Sequence, residues 1–380
     1  MSVFTTSILY LSIFLSTTLM AHKSQRKTEF GCKFNGRWLL MSFLIHWFFL
    51  SFTNIGADYN TYFTVAQNIS LDAVFDTYEF GFYLTVYLLK LLFSSSHVVL
   101  FFIKTISVLI FYLGFYLIRN DADLGLSVLA FNAFLYVRCF YLLSMYFSIA
   151  FLFLSIIFLI NKRSIKSFCF LTIACTIHAS TFLFVPIYLL LFSMEIVNKK
   201  KFGAVKIVFI TIAYLGILNY SVQIYEYAVN NLDAFKHYVE HSLITEYSGS
   251  GLMQYVYFVP ILYFVYLMFK NIESYRIKNA AIIFSFSAFL FALLGYKIEV
   301  FSRTIKSFFA LYGFIIPMLF YYRKHDDSKL YKTRKFIFSY SVDISFWITY
   351  IVWRGVDEFY SAMQSISTAQ VNSYHFFWPF

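Results

Sequence analysis

The side chains able to do chemistry are few and widely spaced: Asp58 and Glu79, Tyr59 and Tyr62, Arg138, His178, and Arg303. Carboxylate and imidazole can orient a hydroxyl or take its proton, and a guanidinium can hold an anion. Each ionisable member lies in or beside an apolar run. A charge at membrane depth costs about 2.5–3.5 kcal/mol on insertion scales, so it needs a partner or a task. Taken singly, each has an ordinary explanation: an arginine reaching water along its own stem, or a histidine held in a local polar contact. Their convergence on one face of a bilayer, which the alternation of spans predicts, is what sets them apart.

Asp58 and Glu79 belong to one stretch, GADYNTYFTVAQNISLDAVFDTYEFGF, residues 56–82. It also holds Asp72 and Asp76, has no basic residue, and lies between two hydrophobic spans. Read as a helix, it puts Asp58, Tyr62, Val65 and Ile69 on one stripe. Such an acidic, aromatic, half-amphipathic segment is expected to floor a site that faces water.

The 380 residues are 60% hydrophobic and 13% charged, against about a quarter charged in a soluble domain. With apolar runs of roughly 17–25 residues, this predicts an all-α polytopic membrane protein. The expectation is a single transmembrane domain over 1–380, with about ten to twelve transmembrane helices and short re-entrant segments. The net charge of +11 sits in loops, where it reports topology rather than nucleic-acid binding. The many Phe and Tyr residues reflect A/T-rich coding, with a few left to serve as platforms for sugar rings. Cys32, Cys139, Cys169 and Cys175 form no CxxC pair and indicate neither a disulfide framework nor a zinc site. No Lys or Arg precedes the first apolar run, Val3–Ala21, which therefore reads as a retained helix rather than a signal peptide.

Lys23, Arg26, Lys27, Lys33 and Arg37 place the first loop in the cytoplasm, and both chain ends outside. The second span, 38–55, then delivers 56–80 to the outer face. A third span from Gly81 and a fourth over 97–118 put the break Arg119–Asp123 outside again. The run 124–137 is short for a crossing and reads as re-entrant from the outer face. A strong span over 139–160 leads to the basic loop Lys162–Lys166. Residues 167–193 must go out and back as two short helices meeting near His178. Later spans are expected near 204–222, 253–270, 279–295, 307–322 and 336–353, with an outer segment at 223–252.

Other polar groups carry less. His237, Glu240 and His241 spell H-x-x-E-H, but in a loop with no further glutamate ligand or catalytic domain around them, so a solvated helix face is the reading. His46 is expected in the core or at a helix interface, and Lys90 and Lys104 are expected to snorkel. Asn68-Ile69-Ser70 is a glycosylation sequon by pattern only. No Walker loop, GxGxxG, GxSxG or HExxH occurs.

The order of these features resembles a known family. It runs from Gly56-Ala57-Asp58-Tyr59-Asn60-Thr61-Tyr62 to Glu79-Phe80-Gly81-Phe82 at a helix start, then Tyr136-Val137-Arg138 before a long apolar span. A basic loop follows, then His178-Ala179-Ser180 before an apolar hairpin with Pro186, and Arg303 before a span ending Ile316-Pro317. Over residues 37–322 this is similar to bacterial O-antigen polymerases of the Wzy/EpsG type. The chain has Glu79-Phe80-Gly81 where that family usually has Glu-Pro-Gly, and Arg138-Cys139 where it often has Arg-Gln.

The resemblance implies an enzyme of the bacterial inner membrane with its active site facing the periplasm. It would move a growing glycan from undecaprenyl diphosphate onto the non-reducing end of a new lipid-linked repeat unit. No metal, cofactor or nucleic acid is implied; the partners are the lipid-linked oligosaccharide, membrane lipid and, as a candidate, a chain-length regulator. In that reaction Arg138 and Arg303 would meet the leaving diphosphate. His178, Glu79 or Asp58 would orient and deprotonate the acceptor hydroxyl, and Tyr59 and Tyr62 would bind sugar rings. The competing readings are a ligase or polyprenyl-phosphate-sugar glycosyltransferase, and a lipid-oligosaccharide flippase or other transporter. A flippase should show related halves and polar groups on both sides, and neither is seen in the sequence.

Overall fold

A computed structural model describes residues 3–28, 31–54, 59–77, 79–140, 142–196, 259–271, 275–295, 299–325 and 334–368. Asp58, the outer segment 223–252 and the His237–His241 motif lie outside the described residues. The chain divides into two compact units, one of residues 1–179 and 309–380, the other of residues 180–308.

The first unit opens with α1 (Val3–Ser24), a hairpin of β1 (Gln25–Thr28) and β2 (Gly31–Phe34), and α2 (Gly36–Ser51). The hairpin is antiparallel, with Gln25 opposite Phe34. Three short helices follow: α3 (Tyr59–Asn68), α4 (Leu71–Phe75) and α5 (Phe80–Leu92). Then come α6 (Ser96–Leu117) and α7 (Leu124–Phe131), the latter continuing as a π-helix, Asn132–Tyr136, and a 3₁₀ turn, Arg138–Phe140. α8 (Leu143–Ile160) and α9 (Ser164–Ile177) form an antiparallel pair. Among the described residues, α6 and α8 are long and apolar enough to cross a membrane. Both are mostly buried, as expected of helices that are hydrophobic all round.

Polar side chains set the register of this bundle. Ser42 Oγ donates to Thr17 O at 2.9 Å, tying α2 to α1. Tyr112 on α6 bonds both Ser42 (2.6 Å) and His46 Nδ1 (2.7 Å). Asn132 Nδ2 reaches Thr17 Oγ1 at 3.0 Å from the π-helix. His46 is thus a core residue, as its setting predicts, fully buried and 4.4 Å from the Tyr136 ring centre. Between α8 and α9, Ser148 Oγ donates to Ala174 O (2.7 Å), and Ser155 and Ser167 donate to each other's carbonyls at 2.8 and 2.6 Å. Small hydroxyl residues allow this close approach and satisfy their own polar groups within it.

The path through α5–α7 differs from the expected one. Gln25, in the basic hairpin, donates through Nε2 to Arg119 O (2.6 Å) and Ala122 O (2.9 Å), and its Oε1 accepts from Leu124 N (2.7 Å). The Arg119 guanidinium lies 5.6 Å from the Phe34 ring centre. The break Arg119–Asp123 therefore shares the end of the unit that holds the hairpin, not the opposite one. From there the 124–140 segment runs antiparallel to α1: Gly125 packs on His22, Asn132 on Thr17, and Phe140 on Tyr10. It passes from one end of the unit to the other rather than turning back. The parity conflict disappears because α5, with 13 residues, is too short for a full crossing.

Residues 309–325 of α13 (Glu299–His325) and α14 (Arg334–Thr368) complete the first unit. Tyr322 donates to Asp121 at 3.3 Å, and Pro317 O accepts from Asp123 N. In the second unit, α10 (Val185–Ile196) and α11 (Val259–Asn271) pack on α12 (Tyr275–Gly295), and the rings of Phe184, Phe291 on α12 and Phe308 near the start of α13 meet one another.

Single-cysteine variants Lys33→Cys and Asn120→Cys, in a chain freed of its own cysteines, should react with a membrane-impermeant maleimide from the same side of sealed vesicles. Gln67→Cys should react from the other side. Labelling of Asn120→Cys together with Gln67→Cys would restore the alternation read from the sequence.

Candidate active site

One helix end and two helix starts meet in the first unit. α9 stops at Ile177, and His178 caps it in extended backbone (φ −143°, ψ 120°), its N–H donating to Ala174 O at 3.2 Å. α5 begins just after Glu79, whose carbonyl accepts from the Phe82 and Tyr83 N–H groups at 2.9 and 3.1 Å. Ser70 and Asp123 cap their helices with their side chains. Glu79 holds the same N-cap position, yet its carboxylate makes no capping bond. It reaches Nδ1 of His178 instead.

Gly81 makes this approach possible. A Cβ there would stand 2.5 Å from Thr176 Oγ1 and 2.9 Å from the Thr176 carbonyl carbon. The first turn of α5 can therefore lie against the last turn of α9 only without a side chain at that position.

Ser144, in the first turn of α8, extends the cluster with its Oγ 3.3 Å from His178 Nδ1. Tyr62 of α3 hydrogen-bonds Ser144 Oγ at 2.8 Å and packs on Phe82 at 4.9 Å. The His178 and Glu79 side chains keep 17% and 13% of their exposure, so the pair is reachable. With Nδ1–H directed at the carboxylate, the imidazole tautomer is set and Nε2 carries the lone pair. Among the described residues nothing takes Nε2. A carboxylate-oriented imidazole with one open nitrogen is the arrangement that accepts a proton from a hydroxyl, and the carboxylate then stabilises the imidazolium formed.

Of the sequence-derived candidates, the structure thus joins Glu79, His178 and Tyr62. Arg138 opens the 3₁₀ turn that leads into α8 and Ser144; its side chain is half-buried, and its carbonyl accepts from Leu142 N at 3.1 Å. Arg303 belongs to the second unit, in the first turns of α13. Tyr59 bonds not the pair but His97: its hydroxyl lies 2.6 Å from His97 Nδ1. Burial pushes the Tyr59 phenol above its ordinary range, so the phenol donates and the imidazole accepts.

Of the expected stripe, Tyr62 and Val65 are both half-buried, and Ile69 lies just past the end of α3 at Asn68, while Tyr59 and Ala66, off that stripe, are buried. The hydroxyls of Tyr59 and Tyr62, with partners on α6 and α8, tie the helix down. Ser144 and His97 carried no sequence signal strong enough to single them out. Lys104 did, but its expected snorkelling is wrong. Lys90 reaches out to Ser94 O at 2.7 Å, whereas Lys104 is buried, donating to Thr53 O at 2.6 Å.

A family model, that of the EpsG family, matches residues 36–361. The chain belongs to the EpsG family. No curated protein and no solved structure matches it. EpsG-family proteins are glycosyltransferase-like polysaccharide polymerases of the membrane. The matched region runs from the start of α2 into α14 and includes the whole Tyr62–Ser144–His178–Glu79 cluster.

Gly81→Ala should lower the thermal midpoint of the purified protein, with overpacking against backbone costing about 1–3 kcal/mol. Turnover should fall with it. Gly36→Ala, whose Cβ would meet only the Phe34 ring edge at 3.5 Å, should leave the midpoint unchanged. Equal behaviour of the two variants in a melting series would show that the α5–α9 approach is looser than described.

Proposed function

We propose that this EpsG-family protein is a surface-polysaccharide polymerase of the O-antigen type. It transfers the growing glycan from undecaprenyl diphosphate to the non-reducing end of a new lipid-linked repeat unit, at the periplasmic face of the bacterial inner membrane. The observation that carries this reading is the Glu79–His178 pair, reachable and with Nε2 without a partner among the described residues, within a family of membrane polymerases.

The acceptor hydroxyl oxygen attacks the anomeric carbon of the donor's reducing-end sugar. The bond from that carbon to the diphosphate oxygen breaks, and the electron pair leaves with the lipid diphosphate. The hydroxyl proton passes to His178 Nε2 as the new glycosidic bond forms. Glu79, on Nδ1, holds the ring and offsets its positive charge. The diphosphate needs fixed cations as its negative charge develops, and Arg138, on the turn before α8, is placed to supply one. Arg303 is the second arginine proposed for this role. Tyr62 holds Ser144 beside the imidazole and presents its ring edge to a sugar. Asp58 remains a candidate acceptor-binding carboxylate. A single lipid-linked substrate class serves as both donor and acceptor, so no nucleotide sugar enters.

The test is turnover of one purified lipid-linked repeat unit by the full chain in vesicles. Wild type should yield a ladder of lengths. Glu79→Gln and His178→Gln should each slow it about 10²–10⁴-fold, the range for loss of general-base catalysis. Arg138→Ala should also abolish the ladder at matched protein level. A full ladder from His178→Gln would end the proposal. So would transfer of the single repeat unit, without lengthening, only when a second and different acceptor is added, since that is the behaviour of a ligase.

A further inference from the structure

Lys104 lies about two turns into α6 and keeps only 2% exposure. An ammonium in apolar surroundings is costly, and a methionine of similar length would fill the space without that cost. What the cation does is join two things. Its Nζ donates to Thr53 O at 2.6 Å, just past the end of α2, and stands 5.0 Å over the ring of Tyr59, the first residue of α3. A carbonyl dipole and a ring face are both favourable partners for a desolvated cation. One side chain thus grips both ends of the link between α2 and α3.

His97 lies two turns before Lys104 on the same face of α6 and takes the Tyr59 hydroxyl at 2.6 Å. Its ring also packs 4.5 Å from Phe63. Tyr59 is therefore held at both ring face and hydroxyl. Tyr62 follows it by one turn on the same side of α3 and reaches Ser144, whose Oγ is beside His178 Nδ1. The path from the buried cation to the imidazole runs through one short helix.

We propose that Lys104, together with His97, is a positioning residue. It sets the register of α3, and so the place at which Tyr62 and Ser144 meet the Glu79–His178 pair. This inference rests on the reading of that pair as the proton-accepting centre.

The experiment compares Lys104→Met, Tyr59→Leu, their double variant, Tyr62→Phe and Glu79→Gln, all in the full chain in vesicles, with the lipid-linked repeat unit as substrate. Lys104→Met and Tyr59→Leu should each lower kcat about 10–100-fold with little change in KM, the scale of a small misplacement far from the chemistry. The double variant should be no worse than the poorer single, because both cut one tie. Lys104→Met should also shift the pH dependence of kcat in the direction that Tyr62→Phe does, which loss of folded protein alone would not. If Lys104→Met fails to fold, Tyr59→Leu must show the same kcat loss and the same pH shift.

A raised KM at unchanged kcat would make Lys104 a substrate-binding cation and overturn the proposal. Multiplying effects in the double variant, or an unmoved pH profile, would overturn it too. Full turnover by Glu79→Gln would remove the reading of the pair itself. An inactive Glu79→Gln beside a fully active Lys104→Met would remove only the positioning role.

Discussion

The contact between the Glu79 carboxylate and His178 Nδ1 depends on helices that stop rather than on helices that cross. Each residue sits at a helix boundary, where its side chain is not committed to the helix's own hydrogen bonding. The boundary positions must then coincide in space, which the bare Cα of Gly81 against Thr176 permits. The serine ladder of α8 and α9 holds the partner surface steady: Ser148, Ser155 and Ser167 fix the sliding of one helix on the other, and Ser144 continues the same face into the site. Loss of that register would carry His178 along α9, away from a carboxylate anchored on α5.

Away from the site, several polar groups inside the bundle are paired with each other, although His46 Nε2 and Asn132 Oδ1 are buried without a hydrogen-bond partner among the described residues. Ser42, Tyr112 and His46 form a chain across α2 and α6, and Asn132 on the π-helix meets Thr17 and Thr18 of α1. In a setting without water, each unpaired group would cost several kcal/mol, so interhelical bonds of this kind select one packing over its neighbours. The contrast with His178 is one of exposure. His46 is enclosed by Tyr112, Phe131 and Tyr136, while the His178 side chain keeps part of its surface.

Membrane character, the break at His178 and an apolar helix within 139–160 were legible, because they follow from apolar run length and from basic loops. The acidic stretch could also be singled out, and it carries Tyr62 and Glu79 of the cluster. The inward position of Tyr59 and Ala66 could not, since the stripe through Tyr62, Val65 and Ile69 leaves them out and the partner of Tyr59 on α6 is visible only in the structure. Nor could the path through α5–α7. The alternation of spans takes the run from Gly81 as a crossing and 124–137 as re-entrant, and only the three bonds of Gln25 show that the second of them travels from end to end. Lys104 was visible as a charge in an apolar run, but sequence has no means of telling a snorkelling lysine from one that is capped by a carbonyl and a tyrosine ring.

A sugar hydroxyl and a lipid diphosphate cannot meet in hydrocarbon, so a transferase for both needs backbone that departs from continuous helix at the depth of the reaction. Irregular backbone is tolerated there only when protein surrounds it or it lines a wet cavity. In the first unit the departures are the breaks between α3, α4 and α5, the 3₁₀ turn at Arg138–Phe140, and the extended residue His178. Glu79, Arg138 and His178 lie at these interruptions, and α3, which precedes the first of them, carries Tyr62. Discontinuous helices mark binding sites in other membrane proteins because their ends expose polar groups that an intact helix uses up. Here the same logic leaves a carboxylate, an imidazole and a guanidinium at helix boundaries, while the uninterrupted α6 and α8 frame the unit.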